Sequence, residues 1–314
     1  MLIKKGDVYT NNPVLAFIKI LFRGISQVIL IENAISGALI TVAIMISSYS
    51  LGLITIISSI IGTTVARIGG ADKKSIDQGL FGYNSVLTGI ALALFLDGSY
   101  RWLIALVGAA VASIVTAMMI HIMKNTQIPV LTSPFIIVTW LTLLASYKLN
   151  AFKLSSSLVP QDLTHWKLNI AGNINWIEGI FSGIGQVFFL DNTLSGIILF
   201  ISVFLCNWKY GLIAIIGNAV ALCVAYTLEA EHSLILKGLY GYNAILAILA
   251  VCIVSNSPLK KYKFLAGIMA AILTVPLAAS ISILLMPYGL PALTMPFVLS
   301  SWLIIGARNT LTRL

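Results

Sequence analysis

The chain has 314 residues, of which 59% are hydrophobic and only 9% are charged, and its mean hydropathy is +1.01. Soluble domains carry about 25% charged residues, so this composition excludes a cytosolic enzyme, a secreted disulfide scaffold and a nucleic-acid binder, and predicts a protein with many membrane spans. The net charge of +9 comes from basic residues near segment ends, where they set membrane orientation rather than bind an anionic partner.

Apolar stretches follow one another along the first half of the chain, at about positions 13–31, 34–50, 51–70, 83–97, 102–123 and 129–147. Two of them look defective as membrane spans, because 13–31 contains two basic residues and a glycine, and 83–97 is short and opened by a glycine. The second half repeats both defects, around Gly183 and Gly241. Interrupted segments at matching places in two repeats are typical of a transporter's binding site. We therefore expect part of each half to be re-entrant, with about five full spans left in each.

The second half of the chain is a copy of the first. Gln186 stands 159 positions after Gln27, each within a G-x-x-Q-V element, and the same offset relates G-L-F-G-Y-N at 79–84 to G-L-Y-G-Y-N at 238–243. Further on, an offset of 162 relates 128–135 to 290–297. A chance match cannot keep glycine, proline, asparagine and glutamine in register over such a distance, so the chain contains an internal duplication.

These patterns predict an all-α polytopic membrane protein built from two repeats, each with about five transmembrane helices plus re-entrant pore helices. The first repeat is predicted at 13–147 and the second at 177–305, with the polar segment 148–176 as a surface linker between them. An odd number of spans in each copy would invert the second relative to the first.

Catalytic and metal-binding patterns are missing from the sequence. No phosphate-binding G-x-x-x-x-G-K-[ST] loop occurs, the histidines lack partners at ligand spacing, and the three cysteines lie in apolar runs. We expect no catalytic residue, no metal and no cofactor. Most acidic residues lie at segment borders, so an energised pump with a buried proton relay is disfavoured.

One acidic pair related by the duplication stands out, Glu32 and Asp191, each followed by asparagine. These carboxylates either cap a helix at the membrane interface or attract a polar solute at the mouth of a pore.

Neutral polar residues are also duplicated: Gln27 with Gln186, Asn84 with Asn243, and Thr132 with Thr294. Amides and hydroxyls offer hydrogen bonds without charge, which suits a pore for a small neutral solute. The alternative is that they bond neighbouring helices to one another. The sequence favours helix bonding for the asparagines and the pore for the glutamines and threonines, which lie next to glycine and proline breaks.

These motifs, in this order, resemble the urea transporter family over nearly the whole chain. The most specific one is L-P-x-x-T-x-P-F, which matches fully at 290–297 and with isoleucine for leucine at 128–135. The resemblance implies an inverted-repeat fold, a homotrimer with a separate pore through each subunit in the lipid bilayer, and passive, channel-like transport of urea through a narrow selectivity filter.

The resemblance also implies roles for particular residues. Gln27 and Gln186 would lie at the two ends of a ladder of hydrogen-bond acceptors, and Thr132 and Thr294 at its middle. Apolar slots would enclose the flat solute on either side, formed by Val28, Leu30, Tyr83 and Leu87 and by Val187, Phe189, Tyr242 and Leu246.

One departure from the family pattern concerns the first slot. Leu30 occupies a position where relatives often carry an aromatic residue, whereas the second slot keeps Phe189. The sequence therefore does not fix how tightly the first slot would enclose urea. A short-chain amide, ammonia and water are alternative solutes. An amidase or a lipid-modifying enzyme would need a clustered nucleophile and base, which the sequence lacks. The expected location is a plasma membrane, with a bacterial inner membrane favoured.

Overall fold

The computed structural model describes residues 12–126, 128–164, 167–172, 175–254, 260–307 and 311. The helices of the first half are α1 (Pro13–Ser26), α2 (Ala34–Ser47), α3 (Tyr49–Ile68), α4 (Lys73–Asp77), α5 (Gly82–Phe95), α6 (Arg101–Met123) and α7 (Ser133–Ala145). Those of the second half are α8 (Trp176–Gly185), α9 (Thr193–Cys206), α10 (Trp208–Thr227), α11 (His232–Leu236), α12 (Gly241–Leu249), α13 (Lys260–Leu285) and α14 (Met295–Ala307). The two halves therefore have the same order of helices, and most pairs begin 159 or 162 residues apart, the offsets of the sequence repeat.

The helix lengths sort the elements by their relation to a membrane. Four helices among the described residues, α3, α6, α10 and α13, are long and apolar enough to cross a bilayer, and two bent pairs raise this to six if each pair counts as one span. The shorter helices α5 and α7 have 14 and 13 residues, about 20 Å at 1.5 Å per residue, which is less than the roughly 30 Å of hydrocarbon core. Helix length and composition identify at most three spans in each half of the described chain, so the expectation of five full spans in each half stays a prediction.

Each bent pair begins in a segment that the sequence predicted to be a defective span, but the helix continues through the predicted interruptions at Gly24 and Gly183, and each break comes after them. The first joins 13–29 to α2 at an angle of 73°, and the second joins 176–188 to α9 at 78°. Asparagine starts the second helix of each pair: the Asn33 side chain accepts hydrogen bonds from two backbone N–H groups of α2, and the Asn192 side chain accepts one from α9. The preceding acids, Glu32 and Asp191, are therefore not the capping residues of these helices.

Equivalent contacts run in both directions between the halves. The Ser36 hydroxyl on α2 donates to the carbonyl oxygen of Ser202 on α9, at 2.7 Å, and the Ser195 hydroxyl on α9 donates to the carbonyl oxygen of Ala43 on α2, at 2.9 Å. Ser195 corresponds to Ser36 in the repeat, and Ser202 corresponds to Ala43. Exchanging the two halves therefore reproduces the contact, as in a pair of units related by a two-fold axis.

The linker 148–176, where it is described, is joined to both halves. Its strand β2 (Lys153–Leu154) pairs antiparallel with β1 (Leu96–Asp97), which directly follows α5. Further along, the Gln161 backbone N–H donates to the carbonyl oxygen of Met286, at the end of α13. The predicted surface linker thus makes backbone hydrogen bonds to both halves.

Candidate transport pathway

Two cavities related by the repeat open into the protein. The first has a volume of about 600 Å³ and the second about 740 Å³. Each is lined by both halves of the chain: Ile253 and Val254 of the second half reach the first cavity, and their counterparts Leu94 and Phe95 reach the second. Neither of these two cavities is therefore lined by one half alone.

The two glutamines predicted as the ends of the ladder lie in different cavities. Gln27 lines the first and Gln186 lines the second. The Gln27 side-chain Nε2 donates to the backbone oxygen of Gln78, at 3.0 Å, while Nε2 of Gln186 donates to Oδ1 of Asp191, at 2.6 Å. Both amide nitrogens are therefore held by acceptors of the protein.

The threonines lie between the cavities. Oγ1 of Thr132 and Oγ1 of Thr294 are 2.7 Å apart, and both residues are buried. The residue before each threonine lines a cavity, Leu131 the first and Leu293 the second. The hydroxyl pair therefore marks the place where the two cavities approach each other, at the centre of the duplicated structure.

The predicted slot residues fall into two groups. Leu30 and Tyr83 line the first cavity, and Phe189 and Tyr242 line the second. The other four, Val28, Leu87, Val187 and Leu246, are almost completely buried in the largest hydrophobic core cluster and line neither cavity. The structure thus brings half of the predicted slot residues to the cavities and places the other half in the adjoining core.

The linings of both cavities contain residues with strained backbone. Among the described residues, five that are not glycine have a positive φ, and four of these form two pairs related by the repeat: Leu30 and Phe189, at 60°, and Leu131 and Leu293, at 52° and 51°. The left-handed region costs an L-residue roughly 1–2 kcal/mol, so the fold sustains this cost at matching points of both cavities. Sequence reasoning missed this feature, because leucine and phenylalanine give no signal for a left-handed backbone.

Side chains of the G-L-[FY]-G-Y-N motif bind the strained loops. The Tyr83 hydroxyl donates to the carbonyl oxygen of Leu131, at 2.6 Å, and the Tyr242 hydroxyl donates to that of Leu293, at 2.5 Å. The asparagine after each tyrosine, Asn84 or Asn243, donates to the same leucine carbonyl. Its side-chain oxygen also accepts a hydrogen bond from a backbone N–H in the first turn of the helix that follows the loop, as Asn243 does from Phe297 at 3.1 Å. The asparagines therefore bond the loops to the helices, which is the helix-bonding alternative.

The motif glycines allow two elements of each repeat to approach closely. Gly79 has a φ of +79°, and a Cβ at this position would collide with the backbone nitrogen of Gly24. A Cβ at Gly238, whose φ is +71°, would collide in the same way with the nitrogen of Gly183. The glycines of G-L-[FY]-G-Y-N thus pack against the glycine of G-x-x-Q-V, which places tyrosine and glutamine at the same cavity.

The charged residues that line the cavities are exposed or half-exposed. Glu32 and Lys124 line the first cavity, and Asp191, Glu229 and Glu231 line the second. Glu32 lies 3.9 Å from Arg23, whereas Asp191 accepts the hydrogen bond from Gln186. The two members of the acidic pair are thus both placed at cavity mouths but have different partners.

Comparison with known proteins identifies the family. The sequence profile described as "Urea transporter" matches residues 18–309. The chain belongs to the urea transporter family. Urea transporter 1 of sheep (Ovis aries) and of goat (Capra hircus) are each 28% identical to it over 303 residues, which cover 93% of this chain and 77% of the relative. The rat protein of the same name (Rattus norvegicus) is 28% identical over 304 residues, with the same coverage.

Family membership confirms the resemblance given by the duplicated motifs. It establishes the chain as a transporter for urea, and its apolar helices and bent helix pairs fit a multi-pass membrane protein. Among the described residues, no group of three or more His, Cys, Asp or Glu side chains could hold a metal ion.

Proposed function

We propose that urea crosses this urea transporter passively, entering one cavity, passing the Thr132–Thr294 hydroxyl pair and leaving through the other cavity. The observation that carries the proposal is the relation of the two cavities: they are repeat-related, and the residues before the paired threonines line one cavity each. A pathway of this kind would have similar polar groups in similar order from either side.

The chemistry of these groups suits urea, which is flat and neutral and has four N–H donors and one carbonyl acceptor. We assign the amide oxygens of Gln27 and Gln186 to the two ends of the acceptor ladder, and the hydroxyls of Thr132 and Thr294 to its middle. Each acceptor would replace a hydrogen bond to water that urea loses on entry, which matters because an unpaired polar group in a dry site costs about 1–3 kcal/mol. Several shallow sites in series would also release the solute quickly.

Apolar walls would exclude other solutes. We assign Leu30 and Tyr83, with Val28 and Leu87 behind them, to the first slot. The second slot is assigned to the equivalent residues Val187, Phe189, Tyr242 and Leu246. Such walls accept the faces of a planar molecule but give a hydrated ion nothing in exchange for its water shell, so desolvation would keep ions out.

Passive transport is supported by where the charges are. The charged residues that line the two cavities are exposed or half-exposed, and the groups at the inner ends are hydroxyls, carbonyls and apolar side chains. A proton relay needs ionisable groups along the path at membrane depth. The arrangement therefore favours diffusion down a gradient without coupling to protons and without chemical change of the solute.

The assembly and the location are also proposed. We propose a homotrimer with one pathway in each subunit, two inverted repeats at 13–147 and 177–305 joined by the linker 148–176, and residence in a plasma membrane, a bacterial inner membrane in particular. The trimer and the location are supported by the resemblance of the duplicated motifs to the family pattern. A two-fold relation of the repeats, which inversion requires, is supported by the reciprocal contacts of Ser36 and Ser195.

Stopped-flow light scattering on proteoliposomes tests the function. Urea efflux should be much faster than from empty liposomes, independent of a proton gradient, and saturable only at high urea concentration. Methylurea, ammonia and water measured in the same vesicles would show the selectivity. Urea flux equal to that of empty liposomes, with another solute moving fast, would overturn the choice of substrate.

Variants of the ladder test the site. Gln27→Ala together with Gln186→Ala should slow urea flux several-fold without unfolding the protein, because each lost hydrogen bond is worth about 1 kcal/mol. Gln161→Ala, at an exposed glutamine of the linker, is the matched control and should conduct like the unmodified protein. Normal urea flux through the double variant would show that the ladder ends are assigned wrongly.

A further inference from the structure

We infer that Asp191 is a positioning residue for urea transport. Its carboxylate fixes the orientation of the Gln186 amide, so that the amide oxygen is presented to urea. The inference rests on the proposed role of Gln186 in the pathway and adds to it a residue outside the ladder. It starts from the short contact of 2.6 Å between Nε2 of Gln186 and Oδ1 of Asp191.

The chemistry of the two groups decides which way the amide faces. An ionised carboxylate accepts hydrogen bonds and cannot donate one, so the group that it contacts must be the NH₂ end of the glutamine. The amide oxygen is then the end left for the cavity that Gln186 lines. A bond of this kind to a charged acceptor is also about twice as strong as one between neutral groups, and it resists rotation of the amide.

Orientation of the amide matters because urea is mainly a donor. A glutamine that turned its NH₂ group toward the pathway would face the N–H groups of urea with donors of its own. Such a pairing leaves donors unsatisfied on both sides, and the solute would be bound more weakly at that end. Fixing the amide therefore gives this position a constant preference for N–H groups.

The first half fixes its glutamine in the same orientation by a different means. Nε2 of Gln27 donates to the backbone oxygen of Gln78, at 3.0 Å, and a backbone carbonyl is likewise only an acceptor. Glu32, the repeat counterpart of Asp191, lies instead 3.9 Å from Arg23. The chain thus contains two carboxylates at equivalent cavity mouths, of which only Asp191 is bound to the glutamine.

This difference provides a matched pair of variants. Asp191→Ala should raise the urea concentration that half-saturates flux about fivefold, the size expected for one weakened hydrogen bond, with a smaller change in the maximal flux. Glu32→Ala removes a carboxylate from the other cavity mouth without removing a contact to Gln27, so it should raise the half-saturating concentration clearly less than Asp191→Ala does. Melting temperatures in detergent should stay alike for both variants, so that a change in flux is not a change in folding.

A double-mutant cycle separates positioning from a direct effect of charge. If Asp191 acts through Gln186, then Asp191→Ala should have little further effect in a Gln186→Ala background. An equal loss in both backgrounds would overturn the inference, since Asp191 would then act on the solute by itself. An effect of Glu32→Ala as large as that of Asp191→Ala would overturn it too.

The cycle also keeps this inference apart from the proposed function. Failure of the unmodified protein to conduct urea would refute the function itself. Normal conduction with no effect of Asp191→Ala would refute only the positioning role and leave the pathway standing.

Discussion

Trp140 and Trp302 make the same hydrogen bond in opposite directions between the two halves of the chain. The indole N–H of Trp140 on α7 donates to the carbonyl oxygen of Pro291, at 2.9 Å, and that of Trp302 on α14 donates to the carbonyl oxygen of Pro129, at 2.8 Å. Pro129 lines the first cavity and Pro291 the second. The last helix of each half therefore holds the cavity loop of the other half.

This relationship predicts an effect on stability. Trp140→Phe and Trp302→Phe should each lower the free energy of unfolding by about 1 kcal/mol or more, because a proline carbonyl inside the protein loses its donor while most of the packing is kept. The melting temperature of the purified protein measures the change. Trp208→Phe, at an exposed tryptophan, is the control. A melting temperature no lower in the two variants than in the control would show that these bonds do not hold the halves together.

A second prediction concerns the paired threonines. Thr132→Val or Thr294→Val alone leaves a buried hydroxyl without its partner, at a cost of about 1–3 kcal/mol. The double variant removes both hydroxyls and keeps the volume, so it should be destabilised by less than the sum of the single variants. All three variants should conduct urea more slowly. Additive stability losses, measured by thermal unfolding, would argue against the hydroxyl pair.

Selectivity should depend on the only position at which the two assigned slots differ, Leu30 in the first and Phe189 in the second. Leu30 and Phe189 have the same φ of 60°, so exchanging their side chains does not change the backbone cost. The Phe189 ring contacts Phe95 edge-on, with centroids 5.5 Å apart, and a leucine there would leave space in the second cavity, which Phe189 lines. Phe189→Leu should raise the ratio of methylurea to urea permeability, and Leu30→Phe should lower it. Permeability ratios that do not move would place the selective region elsewhere.

A stabilising substitution is predicted at the end of α10. Glu229 has a φ of 54° where the repeat has Gly70, at 72°, and both residues end their helix with the same pair of backbone hydrogen bonds. Glu229→Gly should raise the free energy of unfolding by about 1 kcal/mol by removing left-handed strain.

The reverse change tests the same reasoning in the first half. A Cβ on Gly70 would meet no atom within 4 Å, so Gly70→Ala should destabilise by a similar amount through the backbone alone. Glu229→Gln, which removes the charge and keeps the strain, controls for electrostatics. Equal melting temperatures for Glu229→Gly and Glu229→Gln would contradict the strain argument.

Much of the helical order could be predicted from the sequence, because apolar length and glycine breaks report directly on helices in a membrane. The sequence predicts an interrupted stretch at 13–31 and a short one at 83–97, and these correspond to the first arm of the first bent pair and to α5, although the break itself lies after Ile29. The segment 129–147 was expected to be a full apolar stretch, but α7 begins only at Ser133. Its first residues form the loop whose Leu131 has a positive φ, and no hydropathy pattern distinguishes such a loop from a helix.

The candidate site was predictable to the extent that the duplication marked it. Repeated polar residues singled out Gln27 and Thr132, and both lie at or between the cavities. The sequence alone does not reveal that Asp191 contacts Gln186, because Glu32 occupies the equivalent position and has a different partner, Arg23. Which of two equivalent carboxylates reaches a glutamine depends on side-chain geometry, and the repeat pattern does not contain it.

The shared lining of the cavities constrains how such a chain arose. Ile253 and Val254 of the second half line the first cavity, and Leu94 and Phe95 of the first half line the second. A half-length ancestor could therefore have enclosed this pathway only by pairing with a second copy of itself. Fusion of two such copies would make the pairing permanent and let each half diverge, as the equivalent positions Leu30 and Phe189 have done.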